Sequence, residues 1–83
     1  MRTPTWAQIE RFCRVDGWVE VRRGNHVFFE KTLRSGTVLR THRSLAARKT
    51  MSPGRFKAIL RYQLRASEED FWQVLESRQP LDR

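Results

Sequence analysis

Gly17 to His42 reads GWVEVRRGNHVFFEKTLRSGTVLRTH, and this stretch decides the fold. Apolar and polar residues alternate along it in three short runs, with the period of a half-buried β-strand. Gly24-Asn25 separates the first two runs, and residues 33–36 separate the last two. Glycine and asparagine tolerate the positive φ that tight hairpin turns require, so the stretch predicts a three-stranded antiparallel sheet.

The alternation also predicts which side chains share a face of each strand. In the first strand Val19 and Val21 face one way, and we expect the first helix to cover them. Trp18 then faces outward beside Phe28 of the second strand, where the two rings are a candidate platform for stacking bases. The other assignments put Val27 and Phe29 on one face of the second strand, His26, Phe28 and Glu30 on its other face, and Val38, Arg40 and His42 together on the third strand.

Helix signals flank the predicted sheet on both sides. Thr5 and Gln8 have capping-box spacing before a helical apolar pattern, and Asp16-Gly17 ends that helix. Ser52-Pro53 begins a second helix, and Ser67 with three acidic residues begins a third. Residues 43–51 have no clear period and are predicted to be a basic loop. The result is a single α+β domain of order α-β-β-β-α-α over residues 1–78, with a frayed tail at 79–83.

Charge is the strongest compositional signal. Lys and Arg number 17 against 9 Asp and Glu, for a net charge of +8, which indicates a polyanionic partner, with nucleic acid the first candidate. The interval from Lys31 to Arg65 contains no acidic residue, which is more than solubility requires. A membrane surface is disfavoured, because no segment joins this charge to a strongly apolar helical face.

Length, cysteine content and hydropathy argue against several other classes of protein and kinds of site. A chain of 83 residues has room for one modest core, which disfavours a deep small-molecule site. The lone Cys13 excludes an internal disulfide and, with two distant histidines, gives no metal-ligand spacing. No apolar run approaches the roughly 20 residues of a membrane span, and the first residues lack the apolar core of a signal peptide. We therefore expect a cytoplasmic protein without metal or cofactor.

Three short motifs stand in a recognisable order: Gly17-Trp18 at the first strand, Gly24-Asn25-His26 at the hairpin and SPGRFKAIL over residues 52–60. With the predicted element order, they resemble the HicA family of toxin mRNA interferases. The resemblance implies a fold like that of a double-stranded-RNA-binding domain with a short extra C-terminal helix. It also implies mRNA as the substrate and a HicB-like antitoxin protein that covers the basic, histidine-bearing surface.

The same resemblance implies that His26 is the catalytic residue of a metal-independent endoribonuclease. Cleavage of RNA without a metal requires a base for the ribose 2′-hydroxyl proton, and histidine changes its protonation near neutral pH. Cations must also hold the phosphates. His42 is a further candidate RNA-binding residue, and three roles stay open for it: an acid, a phosphate contact, or a residue that simply ends the strand. The candidate RNA-binding cations are Arg22, Arg23, Arg40, Lys57 and Arg61, the last two on a helical ridge with Arg65.

Two other interpretations compete with the ribonuclease. By itself His26 fits an ordinary exposed strand residue. Asn25 replaces the serine that is usual in the family, and Thr41 stands where a proline is common, and these departures keep open a non-catalytic RNA-binding or partner-binding module of the same fold. Such a module predicts salt-sensitive binding that is indifferent to His26→Ala. A DNA-binding helix-turn-helix fits poorly, because three strands precede the basic ridge.

Overall fold

Three antiparallel strands follow one helix and precede two more, in the order that the sequence predicts. The computed structural model describes all residues, 1–83. The strands form one open sheet in the order β1-β2-β3. The elements are helix α1 (Trp6–Val15), strands β1 (Val19–Arg23), β2 (His26–Thr32) and β3 (Val38–Arg43), helix α2 (Pro53–Ala58), a π-helical segment that continues it (Ile59–Leu64), and helix α3 (Glu68–Ser77).

The helices begin at the residues whose side chains cap them. The hydroxyl of Thr5 accepts from the backbone N–H of Gln8 at 3.2 Å, and the Gln8 side chain accepts from the backbone N–H of Thr5 at 2.9 Å. The hydroxyls of Ser52 and Ser67 accept from the backbone N–H groups of Arg55 and Asp70 at the starts of α2 and α3. Each cap satisfies backbone N–H groups that the first turn of a helix leaves without partners. All three predicted helix starts are confirmed.

Strand β2 determines which face of the sheet is buried. Its Val27 and Phe29 are 5% and 0% exposed, and they lie beneath the helices. The hairpin pairs Glu20 with Phe29, and paired residues share a face, so Glu20 takes the helix-covered face of β1. Val19, which is 65% exposed, and Val21 therefore lie on the open face. The prediction that α1 covers these valines is wrong, because the pairing with β2 orients β1.

Trp18 is buried, although the sequence predicted that it faces outward. It precedes β1, is 7% exposed, and its indole N–H donates to the carboxylate of Asp16 at 2.9 Å. Trp18 is therefore part of the core and does not form a stacking platform with Phe28. The predicted faces of β2 and β3 are confirmed by their register, in which Phe28 lies opposite His42 and Glu30 opposite Arg40.

The core between the sheet and the helices is built around phenylalanines. Phe12 of α1, Phe56 of α2 and Phe71 of α3 are all 0% exposed. The Phe71 ring lies 5.1 Å from that of Phe12 and 5.0 Å from that of Phe56, measured between centroids. Such aromatic contacts add to the stabilisation from buried apolar area, and they tie the three helices together beneath the sheet.

Residues 79–83 are anchored, although the sequence predicted a frayed tail. The carboxylate of Asp16 is fully buried and needs several donors. It accepts from the backbone N–H of Leu81 at 2.7 Å and from the guanidinium of Arg83 at 3.0 Å. Arg83 also donates to the carbonyls of Leu64 and Arg65, at the end of the π-helical segment. The tail is held because it supplies hydrogen-bond donors both to the buried carboxylate and to the free carbonyls of this helix end.

The loop between β3 and α2 packs beside the start of α1. The backbone N–H groups of Trp6 and Ala7 donate to the carbonyls of Lys49 and Ala47, at 3.2 and 2.8 Å. Thr5 also forms an isolated antiparallel bridge with Thr50. The loop thus supplies acceptors for the free N–H groups of the first helical turn. It closes one side of a groove at the end of the sheet.

Candidate active site

His26 begins β2 directly after the hairpin turn. Gly24 in that turn has φ +60°, a conformation that glycine adopts without strain. The turn places His26 opposite Arg23 across the hairpin. The His26 ring is exposed, and its centroid lies 6.1 Å from that of Phe28 on the open face. A substrate as large as RNA therefore has access to the imidazole.

His42 lies near the end of β3, on the same face of the sheet. It is paired opposite Phe28, and the two ring centroids are 6.4 Å apart. On its other side the His42 ring lies 5.9 Å from that of Trp6. Because His26 precedes Phe28 by two positions, the two histidines are diagonal neighbours, and such positions are about 7–8 Å apart.

Both histidines line one groove of about 550 Å³ at the end of the sheet. Side chains from the hairpin, the end of β3, the following loop, α1 and the start of α2 meet there. None of these side chains is acidic, so the groove combines two imidazole rings with the positive charge of two arginines. Its lining consists of Trp6, Asn25, His26, His42, Arg43, Ser44, Leu45, Thr50, Met51 and Arg55.

Two arginines that the sequence did not single out as phosphate ligands also line the groove. Arg43 donates to Glu10 at 3.2 Å through one terminal nitrogen, while its Nε is buried and has no partner. An unpaired buried N–H is costly, so this nitrogen is a polar group that the fold leaves unsatisfied. Arg55 places its guanidinium carbon 5.2 Å from the centre of the Trp6 ring. In the sequence, these two arginines are marked only by their place in the long acid-free interval. The conformation of the loop brings them close to the histidines, and no local sequence pattern predicts that.

The cations predicted on the strands are distributed over both faces of the sheet. Arg23 and Arg40 lie on the open face with His26, where they line a shallow pocket of about 200 Å³ with Val21, Phe28 and Glu30. Arg40 is paired there with Glu30 at 2.7 Å. Arg22 points to the other face of the sheet, because it alternates with Arg23 along β1. Its Nε lies 3.1 Å from a carboxylate oxygen of Glu20. Arg23 and Arg40 thus extend the positive open face beyond the groove, whereas Arg22 does not.

The predicted basic ridge is only partly present. Lys57 and Arg61 are exposed on α2 and the π-helical segment, but neither lines the groove. Arg65 has φ +52° and ends the segment in a left-handed conformation. The wider π-helical turn also alters the alignment expected from α-helical spacing. The ridge is therefore a pair of cations outside the histidine groove.

The perturbed titrating groups lie outside the groove. Burial, with a smaller contribution from the nearby Asp16 carboxylate, raises the pKa of the Cys13 thiol far above its ordinary value. Hydrogen bonds and charge from Arg22, and then from Arg14, lower the pKa of Glu20. The thiol therefore stays protonated within the core, as expected for a buried small hydrophobe, and the Glu20 carboxylate belongs to a surface ion-pair cluster.

No group of three or more His, Cys, Asp or Glu side chains is arranged to hold a metal ion. None of the helices has the length and apolar character needed to span a membrane. Comparisons with protein-family models, with curated proteins and with solved structures found no match to this chain. The relationship to HicA toxins therefore stays a prediction based on motifs and element order.

Proposed function

We propose that this protein is a HicA-like toxin, a cytoplasmic endoribonuclease that cleaves mRNA without a metal ion and that a HicB-like antitoxin neutralises. The observation that carries the proposal is the groove, in which both histidines of the chain meet Arg43 and Arg55. Cleavage of RNA requires a base and phosphate-binding cations within reach of one scissile phosphate. The groove contains both kinds of side chain.

His26 is the general base in this proposal. Its neutral imidazole takes the proton of the ribose 2′-hydroxyl, and the 2′-oxygen then attacks the adjacent phosphorus. The exposure of His26 at the tip of the hairpin suits this role, because a single strand of RNA can approach the open face without moving any helix. Asn25 lines the same groove, and its side-chain amide is a candidate hydrogen-bonding group for the ribose.

Positive charge around the groove supports binding of the RNA backbone. The guanidinium groups of Arg43 and Arg55 are the candidates for the scissile phosphate, because both residues line the groove. Arg23 and Arg40 continue the cationic surface along the open face, where neighbouring phosphates would lie. Lys57 and Arg61, together with Arg22, are then peripheral contacts that add affinity through counterion release.

The open face of the sheet supports the antitoxin as a protein partner. Val19 and Val38 are 65% and 50% exposed on this face, beside the cations Arg23 and Arg40. Apolar side chains interleaved with arginine are typical of surfaces that proteins bind. A HicB-like protein that covers this face would also block access to His26.

The test is RNA cleavage by purified protein in EDTA. Parent and His26→Ala proteins are incubated with a substrate that contains single- and double-stranded regions, with Gln73→Ala on the outer side of α3 as a control. We expect cleavage by the parent and the control and a loss of about 10²-fold or more for His26→Ala, because a general base contributes that much. Thermal unfolding of each protein verifies that all three are folded.

Two outcomes would contradict the proposal. Equal cleavage by His26→Ala and the parent would remove His26 from the mechanism. Intact RNA with every variant, together with tight and salt-sensitive binding, would favour the non-catalytic RNA-binding module instead.

A further inference from the structure

The groove contains a second side chain that can exchange a proton. Cleavage of a phosphodiester needs an acid for the departing 5′-oxygen as well as a base for the 2′-hydroxyl. The lining includes no Asp, Glu, Lys, Tyr or Cys, and arginine does not release its proton in proteins. Besides His26, His42 is therefore the one lining residue of a type that titrates near neutral pH.

The spacing of the two histidines fits one phosphodiester. Both rings are neighbours of Phe28, at 6.1 Å for His26 and 6.4 Å for His42. Their diagonal relation on the sheet separates the residues by about 7–8 Å. A phosphodiester with a hydrogen bond of about 2.8 Å on either side occupies a comparable span. One histidine can thus reach the attacking oxygen while the other reaches the leaving oxygen.

His42 is also held in place more firmly than His26. Its ring is half-buried between Phe28 and Trp6, whose own backbone is bonded to the loop carbonyl of Lys49. Arg43 follows His42 directly and also lines the groove, so its guanidinium is a candidate ligand for the phosphate. A fixed proton donor beside a fixed phosphate ligand is the arrangement that protonation of a leaving group requires.

We propose that His42 is the general acid of a two-histidine site in which His26 is the base, an inference that rests on the proposed ribonuclease function. His26 takes the 2′-hydroxyl proton as the O2′–P bond forms. The P–O5′ bond breaks, its electron pair goes to O5′, and protonated His42 gives its proton to that oxygen. The products are a 2′,3′-cyclic phosphate and a 5′-hydroxyl, with His26 protonated and His42 neutral.

The test replaces the leaving oxygen with one that needs no acid. Cleavage of ordinary RNA is compared with cleavage of the same RNA carrying a bridging sulfur in place of O5′ at the cleaved bond, because a thiolate leaves without protonation. For His42→Gln we expect a loss of about 10²- to 10⁴-fold on ordinary RNA and near-parent cleavage of the sulfur substrate. His26→Ala is expected to be slow on both substrates.

Control variants distinguish a chemical role of His42 from a role in packing. Because His42 contacts Trp6 and Phe28, thermal unfolding is measured for both His42→Gln and His42→Ala, and Gln73→Ala is assayed beside them. Equal losses on both substrates would make His42 a structural residue and overturn the inference. Parent-like cleavage of ordinary RNA by His42→Gln would also overturn it, while leaving His26 as the base. Absence of cleavage by the parent would instead overturn the ribonuclease function, and this inference with it.

Discussion

The guanidinium of Arg83 donates to the carboxylate of Asp16 at 3.0 Å, across 67 positions of the chain. Asp16 is fully buried and also accepts from Trp18 and Leu81, while Lys31 lies 3.4 Å away. The pair therefore joins the end of α1, the sheet and the last residues of the chain around one buried charge.

Loss of this carboxylate should be strongly destabilising. Asp16→Ala leaves Arg83 and Lys31, with side chains 18% and 15% exposed, without their counter-charge. Removal of one partner from a buried ion pair costs about 3–5 kcal/mol, so we expect that reduction in the free energy of unfolding in urea. The control is Arg34→Ala, because its partner Asp82 is 95% exposed and surface pairs contribute about 1 kcal/mol or less. Equal losses for the two variants would contradict the role of Asp16.

The two faces of the sheet can be compared with the same substitution. Val27 is 5% exposed beneath the helices, whereas Val19 is 65% exposed on the open face. Val27→Ala should reduce the free energy of unfolding by about 2 kcal/mol, because it removes buried methyl groups and leaves a cavity. Val19→Ala should cost less than about 1 kcal/mol. Chemical denaturation of both variants measures the difference, and a larger loss for Val19→Ala would mean that α1 covers the other face.

Groove and ridge cations should affect different steps of RNA cleavage. Arg55 lines the groove with His26 and His42, while Lys57 and Arg61 lie outside it. Arg55→Gln should lower the cleavage rate at saturating RNA, because it weakens stabilisation of the reacting phosphate. The Lys57→Ala, Arg61→Ala double variant should weaken binding, reduce its salt dependence and leave the saturated rate unchanged. Rate and affinity are measured over a salt series, and a slower saturated rate in the double variant would place the ridge at the reacting phosphate.

Ion pairs of Glu20 should add stability only above acidic pH. Hydrogen bonds and charge from Arg22, and then from Arg14, lower the pKa of this carboxyl below its ordinary value of 4.5. The stabilisation is therefore complete above the unfolded value and is lost as pH falls through the lower folded value. Parent and Glu20→Gln should differ in thermal stability at pH 6 and converge near pH 3. Exposed Glu76→Gln is the control, and a constant difference between parent and Glu20→Gln at all pH values would contradict the assignment.

Local chemistry made much of the fold predictable. The helix starts at Thr5, Ser52 and Ser67 depend on hydrogen bonds to the third following residue, so the pattern is visible in a short window. The Gly24-Asn25 turn and the alternation of β2 and β3 are equally local, and they place His26 on the open face. Such features need no knowledge of distant residues.

The local pattern could not predict which face of β1 is buried. Its valines resemble a buried stripe, but cross-strand pairing aligned Glu20 with Phe29 and left Val19 exposed. Trp18 was assigned outward because it alternates with these valines, yet it is buried, and its indole N–H donates to the Asp16 carboxylate. The alternation of this five-residue strand is as predicted, but pairing with the central strand and the demands of one buried charge decided which of its faces is covered.

The sequence by itself determined the element order, the hairpin that presents His26 and the excess of positive charge. Only the tertiary structure decided that His42, Arg43 and Arg55 meet His26 in one groove. The groove depends on a loop without periodicity that packs against α1 through backbone hydrogen bonds, which carry no side-chain signature. The anchored tail likewise depends on a buried carboxylate that draws its donors from distant parts of the chain. Local propensities encode the elements, whereas the satisfaction of buried polar groups over long sequence distances assembles the site.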